Sequence, residues 1–253
     1  MTVNFHILKQ SGFADYLEGK GKGNWGHAGR KGKIGGSASG KGGRSSKEAA
    51  VGRESAPIRS DLKEIYDVVE LGDEDPSNYS NLEKAGQKWL SGLSSKQQAA
   101  LSYYRDQAGF VSINKALRDG NLSHLSSKQR GIIGDLEESL EGSTIASGTK
   151  LYRGMTVTSS SFSSIGLKQG AVFQDDAFMS ASPSSSIAAN FSVPKRGQTG
   201  VLFELKSPRA LPGLYISRQG KEPEVLLSRS RRIGITSVTK LHDNIYHVRG
   251  ELT

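Results

Sequence analysis

From Asp61 to about Ser147, apolar residues recur at helical spacing: Ile65, Val68 and Val69, then Leu90 and Leu93, then Ile132, Ile133, Leu136 and Leu140. Two Ser-Ser-Lys-Gln quartets, 94–97 and 126–129, predict helix starts, because a serine hydroxyl can accept from the free N–H groups of a first turn. Between them LSYYRDQAGFVSINKALR (101–118) divides at Gly109 into a tyrosine-bearing helix and a second one carrying Ile113, Asn114, Leu117 and Arg118. After Thr149 the pattern shortens to runs separated by Gly, Pro, Ser and Asp clusters. Strands are predicted at 151–155, 171–173, 177–182, 200–205, 225–227, 233–241 and 244–251. Helices first and strands afterwards predict an α+β domain.

Composition changes the picture at the N-terminus. Residues 19–43 hold 11 glycines in 25 positions, interleaved with Lys and Arg. Glycine this dense has a high ordering entropy and few side chains to offset it, so residues 1–58 are expected to form a flexible basic tail ahead of a catalytic domain at 59–253. Gly21, Gly23 and Gly26 spell GxGxxG, and residues 35–41 nearly spell a P-loop, with Gly42 where Ser or Thr should be. Neither match has the preceding strand and following helix that phosphate binding requires, so both read as compositional. The formal net charge of +9 is uneven: +7 over residues 1–60, −4 over 61–150 and +6 over 151–253. The tail reads as a solvated linker, or as a contact for nucleic acid or a capsid through residues 19–58, with Trp25 and His27 available for stacking. The run GNWGHAGRKGKIGGS resembles a glycine-rich segment of phage and prophage proteins.

The chain has no cysteine, which excludes disulfides and thiolate metal sites. Its five histidines, His6, His27, His124, His242 and His247, show no metal-ligand spacing. No apolar run reaches membrane-spanning length and the N-terminus lacks a sustained apolar stretch, so a soluble chain without a standard export signal is expected.

The candidate chemistry lies in the C-terminal half. In GKEPEVLL, Glu222 and Glu224 flank Pro223 just before an apolar run. Residues i and i+2 of an extended chain face the same way, so both carboxylates can meet one ligand. Such a pair suits chemistry at a sugar carbon, one carboxylate steadying an oxocarbenium ion while the other handles a nucleophile or its proton. Upstream, Arg153 closes LYR before Gly154, and Ser180 and Ser182 share one face of FMSAS, followed by Phe191. Each has an ordinary reading: solvated loop carboxylates, a surface salt-bridge partner, hydroxyls in a serine-rich segment, a core aromatic.

Taken together, Arg, then Ser-x-Ser, then Glu-x-Glu resembles the mono-ADP-ribosyltransferase family of the arginine–serine–glutamate class, which includes actin-targeting binary toxins and phage-encoded enzymes. The likeness spans roughly residues 61–250; Ala181 replaces the threonine of the family's Ser-Thr-Ser strand, and YRDQAGFVSINKALR matches its helical layer. The resemblance implies an ADP-ribosyltransferase fold, with an N-terminal helical layer packed on a mixed and antiparallel β-sandwich core. It implies NAD as co-substrate and no metal. Arg153 would hold the diphosphate end of NAD with Asn114, and Lys195 or Arg196 would add positive charge. The Gly154 backbone would approach the nicotinamide amide and Phe191 would stack on the ring. Glu224 would bind the nicotinamide ribose and stabilise the oxocarbenium, Ser180 would orient Glu224, and Glu222 would position the acceptor and take its proton. A glutamate at that first position goes with arginine acceptors in this family, and Tyr215, in a loop at 211–220, would recognise a target protein. Pro223 lacks a backbone donor and so predicts an edge or bulged strand. The chain would then act where it is made, be injected with phage DNA, leave the cell by a non-standard route, or rely on a separate delivery partner. The rival readings are an NAD glycohydrolase using the same pocket, and a phage structural or nucleic-acid-binding protein acting through its tail.

Overall fold

The computed structural model describes residues 2–3, 76–216 and 223–253. The tail apart from Thr2 and Val3, both glycine-rich motifs, and Ile65, Val68 and Val69 lie outside the described residues. Strand β1 (Thr2–Val3) comes first, followed by helices α1 (Pro76–Gly92), α2 (Ser95–Tyr104), α3 (Gln107–Arg118) and α4 (Ser127–Glu141). Strands then dominate: β2 (Thr144–Ile145), β3 (Lys150–Thr158), β4 (Val172–Asp175) and β5 (Met179–Ala181). After them come β6 (Gln198–Lys206), β7 (Leu211–Tyr215), β8 (Val225–Leu227), β9 (Arg231–His242) and β10 (Ile245–Leu252). Short helices α5 (Ser159–Ile165) and α6 (Ser185–Phe191) follow β3 and β5. The α+β fold class expected from the pattern is the fold observed. No helix among the described residues is long and apolar enough to cross a membrane.

Both serine quartets do what their chemistry predicts. Ser94 and Ser126 are N-caps, and Gln97 and Gln129 complete capping boxes by accepting from the two cap N–H groups at 2.9 Å. The break between α2 and α3 falls at Arg105 and Asp106 rather than at Gly109, which sits in the first turn of α3. A Cβ on Gly109 would strike the Tyr103 carbonyl, so this glycine serves the close approach of two helices and not the break itself.

The strands form two sheets. One has the order β1-β4-β9-β10-β6-β3, with β1/β4 and β10/β6 parallel and the other pairs antiparallel; the other is antiparallel in the order β2-β7-β8-β5. Strand periodicity divides the core. Val225 and Leu227 of β8 pack with Met179, Leu211, Phe203, Val201 and Ile233 between the sheets. Leu226 faces the other way and joins Leu214, Phe178, Ile113, Leu101 and Leu136 beneath the helices. The four-stranded sheet is thus sandwiched between a helical layer and the six-stranded sheet. A third cluster, Tyr152, Leu202, Ala188, Ala189 and Ile245, seats α6 on the outer face of the six-stranded sheet.

Two features depart from the sequence reading. Residues 211–215 form strand β7 instead of a loop, because Pro212 pairs with the two-residue strand β2 and Gly213 fits under Leu227 and Ile145, where a Cβ would lie 2.7 and 2.8 Å from their side chains. Strand β8 is an inner strand, not an edge or bulged one; Pro223 stands just ahead of it, where its missing N–H withdraws nothing from the ladder.

Helix α6 lies so close to β6 that a Cβ on Gly200 would collide with the backbone carbonyl of Ser192. Backbone cannot swing aside as a side chain can. Gly200→Ala should therefore lower the unfolding free energy by about 2 kcal/mol or more in denaturant titration, beyond what a tolerated surface substitution would show.

Candidate active site

Strand β3 carries Arg153 inward, and its guanidinium is bound on two sides. Nη1 donates to the Ser180 carbonyl at 2.6 Å and Nη2 to Asp175 Oδ2 at 3.3 Å. Asp175 closes β4 and is fully buried. Its other partner is Arg118, the last residue of α3, which grips both carboxylate oxygens through Nε and Nη2 at 2.9 and 3.0 Å. The Ala177 N–H also donates to Oδ1 at 3.1 Å. One carboxylate therefore joins the helical layer, β3 and β4. Burial alone would raise its pKa, but the charge and hydrogen bonds of Arg118, then the charge of Arg153, hold it below the ordinary carboxylate value. Burial lowers the pKa of Arg153, and the charge of Asp175 opposes that shift. Two guanidiniums against one carboxylate leave a positive surplus suited to a phosphate-bearing ligand. Buried Nε of Arg153 has no hydrogen-bond partner among the described residues.

A second polar group abuts the first. Asn114, buried on α3, donates through Nδ2 to the Tyr104 hydroxyl at 2.9 Å and to the Phe178 carbonyl at 3.5 Å. Its Oδ1 is buried without a partner among the described residues. Tyr104 stacks edge-on against Phe178 with ring centroids 5.5 Å apart. Burial pushes the Tyr104 phenol well up from its ordinary pKa, and the nearby charge of Glu224 adds to that. The same carboxylate contributes to the field at Arg153. Arg153, Asn114 and Glu224 thus come from a strand, a helix and a pre-strand turn into one electrostatic neighbourhood.

The Ser-x-Ser strand and the Glu-x-Glu segment meet through an antiparallel ladder that pairs Ser180 with Leu226 and Ala181 with Val225. The hydroxyl that reaches the glutamate segment is that of Ser182, which donates to the Pro223 carbonyl at 2.9 Å and accepts from the Ser184 N–H at 3.0 Å. Ser180 supplies the carbonyl that holds Arg153, and Glu224 lies diagonal to it across the ladder. Glu224 is half-buried; Glu222 lies outside the described residues. At Gly154 a Cβ would run into the Ala188 carbonyl of α6, so packing of that helix by itself demands glycine there. Phe191, at the end of α6, is the large apolar side chain exposed among the described residues, at 36%. Lys195 and Arg196 follow it and are exposed.

Tyr215 corrects the sequence reading. It is 2% exposed at the end of β7, packed edge-on against Tyr79 at 5.9 Å and belonging to the core between the sheets, so it is not a surface that a target protein could touch. Conversely, the sequence pattern does not mark Asp175, and it marks Arg118 only as part of a helix. Nothing local marks Asp175 within QDDAF; its meaning comes from partners 57 and 22 residues away in the chain.

With this geometry in place, comparison with known proteins is decisive. Residues 81–249 match the family model described as ADP-ribosyltransferase exoenzyme. The chain belongs to this family. By family it is an ADP-ribosyltransferase, a pentosyl-transferring enzyme with NAD as co-substrate and a protein as acceptor. No curated protein matches the chain in sequence. Among solved structures, Vis of Vibrio splendidus in complex with agmatine is similar at TM-score 0.58 and 22% identity, over 78% of this chain and 88% of that one. The toxin Plx2a of Paenibacillus larvae gives 0.57 and 17%, over 72% and 96%. The structure of C3stau2 from S. aureus with NAD gives 0.54 and 18%, over 69% and 95%. At these identities the likeness is one of fold, and it extends to the helical layer set against the two sheets.

The buried ion cluster predicts acid sensitivity in this ADP-ribosyltransferase. A carboxyl whose folded pKa lies below its unfolded value stabilises the fold fully above the unfolded pKa, and that stabilisation is lost as pH falls through the folded one. Asp175→Asn should lower the unfolding free energy at neutral pH by about 3–5 kcal/mol, because it leaves Arg153 buried without its counter-charge. Its stability should also fall less steeply than that of the wild type as pH drops below about 4, measured by thermal melts across pH.

Proposed function

We propose that this chain transfers ADP-ribose from NAD to an arginine side chain of a target protein, releasing nicotinamide. The observation that supports this most is the tie between the two motif strands. Ser182 holds the Pro223 carbonyl, and that fixes Glu224 beside the strand whose Ser180 carbonyl holds Arg153. NAD carries a diphosphate, and the paired guanidiniums of Arg118 and Arg153 suit it; the unpartnered Asn114 Oδ1 and Arg153 Nε supply an acceptor and a donor that a polar ligand can satisfy. Phe191 offers its exposed ring for stacking on nicotinamide, and Gly154 brings β3 backbone close to the same end.

The reaction breaks the bond between the ribose anomeric carbon and the nicotinamide nitrogen. The bonding electron pair leaves with the ring, which loses its positive charge, and the sugar becomes an oxocarbenium ion. Glu224, set in place by the Ser182 contact to the Pro223 carbonyl, holds a ribose hydroxyl and places negative charge against that cation. Glu222 binds the incoming guanidinium, and a guanidino nitrogen then forms the new bond to the anomeric carbon. The proton that nitrogen sheds goes to the Glu222 carboxylate. A carboxylate at position 222 suits a planar, cationic acceptor that it can bind with two hydrogen bonds. Vis, similar in fold, was solved in complex with agmatine, a guanidinium compound, which favours the same acceptor chemistry here.

Nicotinamide release from NAD, with and without agmatine, tests this. Release by the wild type should rise with agmatine. Glu224→Ala should lower release by about a thousandfold, in line with loss of a charge aimed at the transition state. Glu222→Ala should keep hydrolysis and lose the response to agmatine. Robust release that ignores agmatine in the wild type would instead make the chain an NAD glycohydrolase or a transferase to another acceptor. No release at all would remove the enzymatic reading and direct attention to the basic tail.

A further inference from the structure

Helix α6 carries no charged side chain, so polar recognition from it falls to its serines and Asn190. Ala188 and Ala189 turn onto Tyr152 and Leu202 of the six-stranded sheet. Asn190 lies about 100° further round the helix than Ala189 and one turn beyond Ser186, so it shares that serine's face. Ser186 marks where this face points. Its hydroxyl pairs with that of Ser184 at 2.8 Å, and the Ser184 N–H donates to Ser182 Oγ at 3.0 Å. Ser182 in turn holds the Pro223 carbonyl, next to Glu224. Asn190 therefore stands on the side of α6 turned to the two motif strands. Its Oδ1 is buried and has no hydrogen-bond partner among the described residues. Such an acceptor is costly to bury unless a ligand or a water completes it.

Beside that face lies the opening between β3 and β5. The two strands share one bridge, in which Tyr152 and Ser182 exchange N–H···O bonds at 2.7 Å each. They pair no further among the described residues, and the Ser180 carbonyl of β5 is taken by Arg153 instead. Alternation along β3 turns the N–H and C=O of Gly154 the same way as those of Tyr152, into the opening. Helix α6 crosses here, since a Cβ on Gly154 would meet the Ala188 carbonyl, and Asn190 is two residues on. A primary carboxamide presents one acceptor and two N–H donors. The Gly154 backbone can match the acceptor and one donor. The second donor needs another acceptor.

We propose that Asn190 is a further NAD-binding residue: its open Oδ1 accepts from the second N–H of the nicotinamide carboxamide, whose other two hydrogen-bonding positions meet the Gly154 backbone. This rests on the reading that places the nicotinamide at Gly154 and Phe191. Asn190 then selects the amide over the corresponding acid, because a carboxylate has no N–H to offer.

The test measures dissociation constants for NAD and for ADP-ribose, which lacks the nicotinamide, by titration calorimetry. It uses the wild type, Asn190→Ala, Asn190→Asp and Phe191→Ala, with thermal melts of each without ligand. Asn190→Ala should bind NAD about tenfold more weakly and ADP-ribose within about twofold of the wild type. Asn190→Asp, which keeps an oxygen at the same reach, should recover most of the NAD affinity. Unliganded Asn190→Ala should melt no lower than the wild type, because the fold itself leaves this acceptor open. Equal weakening for both ligands, weakening for neither, or a melting temperature lower by several degrees would overturn the proposal. Phe191→Ala separates it from the reading beneath it. If that variant weakens NAD alone while Asn190→Ala weakens neither ligand, the nicotinamide lies at Phe191 and only the assignment of Asn190 fails. If neither variant distinguishes the two ligands, the placement of the nicotinamide fails and takes the assignment with it.

Discussion

The rest of the structure depends on the carboxylate of Asp175. It is fully buried, and it satisfies two guanidiniums that reach it from different layers, Arg118 from the end of α3 and Arg153 from β3. Taking three charges out of water is unfavourable, and the attraction offsets it only if the geometry is good and the remaining donors and acceptors are engaged. Here the bidentate grip of Arg118, the Ala177 N–H and the Ser180 carbonyl do that work. Such a cluster contributes less to stability than an equally well-packed apolar one, but it fixes where positive charge is presented. That is what a site for a dinucleotide needs.

Around that point each layer has its own task. The helical layer contributes Asn114 and Arg118. The four-stranded sheet sets Ser180, Ser182 and Glu224 in register, so that a ladder only three residue pairs long aligns both motifs. The six-stranded sheet supplies Arg153 and a bed for α6, whose Ala188 carbonyl lies against Gly154 and whose last residue, Phe191, is exposed. In the proposed mechanism, the division of labour between Glu224 at the sugar and Glu222 at the acceptor rests on their i, i+2 spacing in the sequence.

The motifs were legible because they follow local periods. Ser180 and Ser182, like Glu222 and Glu224, declare a shared face through spacing alone, and Ser94 and Ser126 declare helix starts through hydroxyl chemistry. What depends on distant chain was hidden. Asp175 sits in a run with no pattern, and its partners become visible only when α3 and β3 are folded against β4. Leu211–Tyr215 carries Pro212 and Gly213, which look like a turn by composition. Tertiary packing under Leu227 and Ile145 makes them a strand and takes Tyr215 into the core. Gly154 reads from the sequence as a place for close approach by a ligand, whereas the fold supplies a reason of its own in the Ala188 carbonyl.

The most direct test of this account is the equilibrium dissociation constant for NAD, measured by titration calorimetry on the wild type and on Asp175→Asn at a temperature where both remain folded. If one buried carboxylate aligns the two arginines that receive the co-substrate, the variant should bind NAD at least about tenfold more weakly, a loss of about 1.4 kcal/mol. An affinity equal to that of the wild type would show that Asp175 serves the fold alone and that the NAD site lies elsewhere.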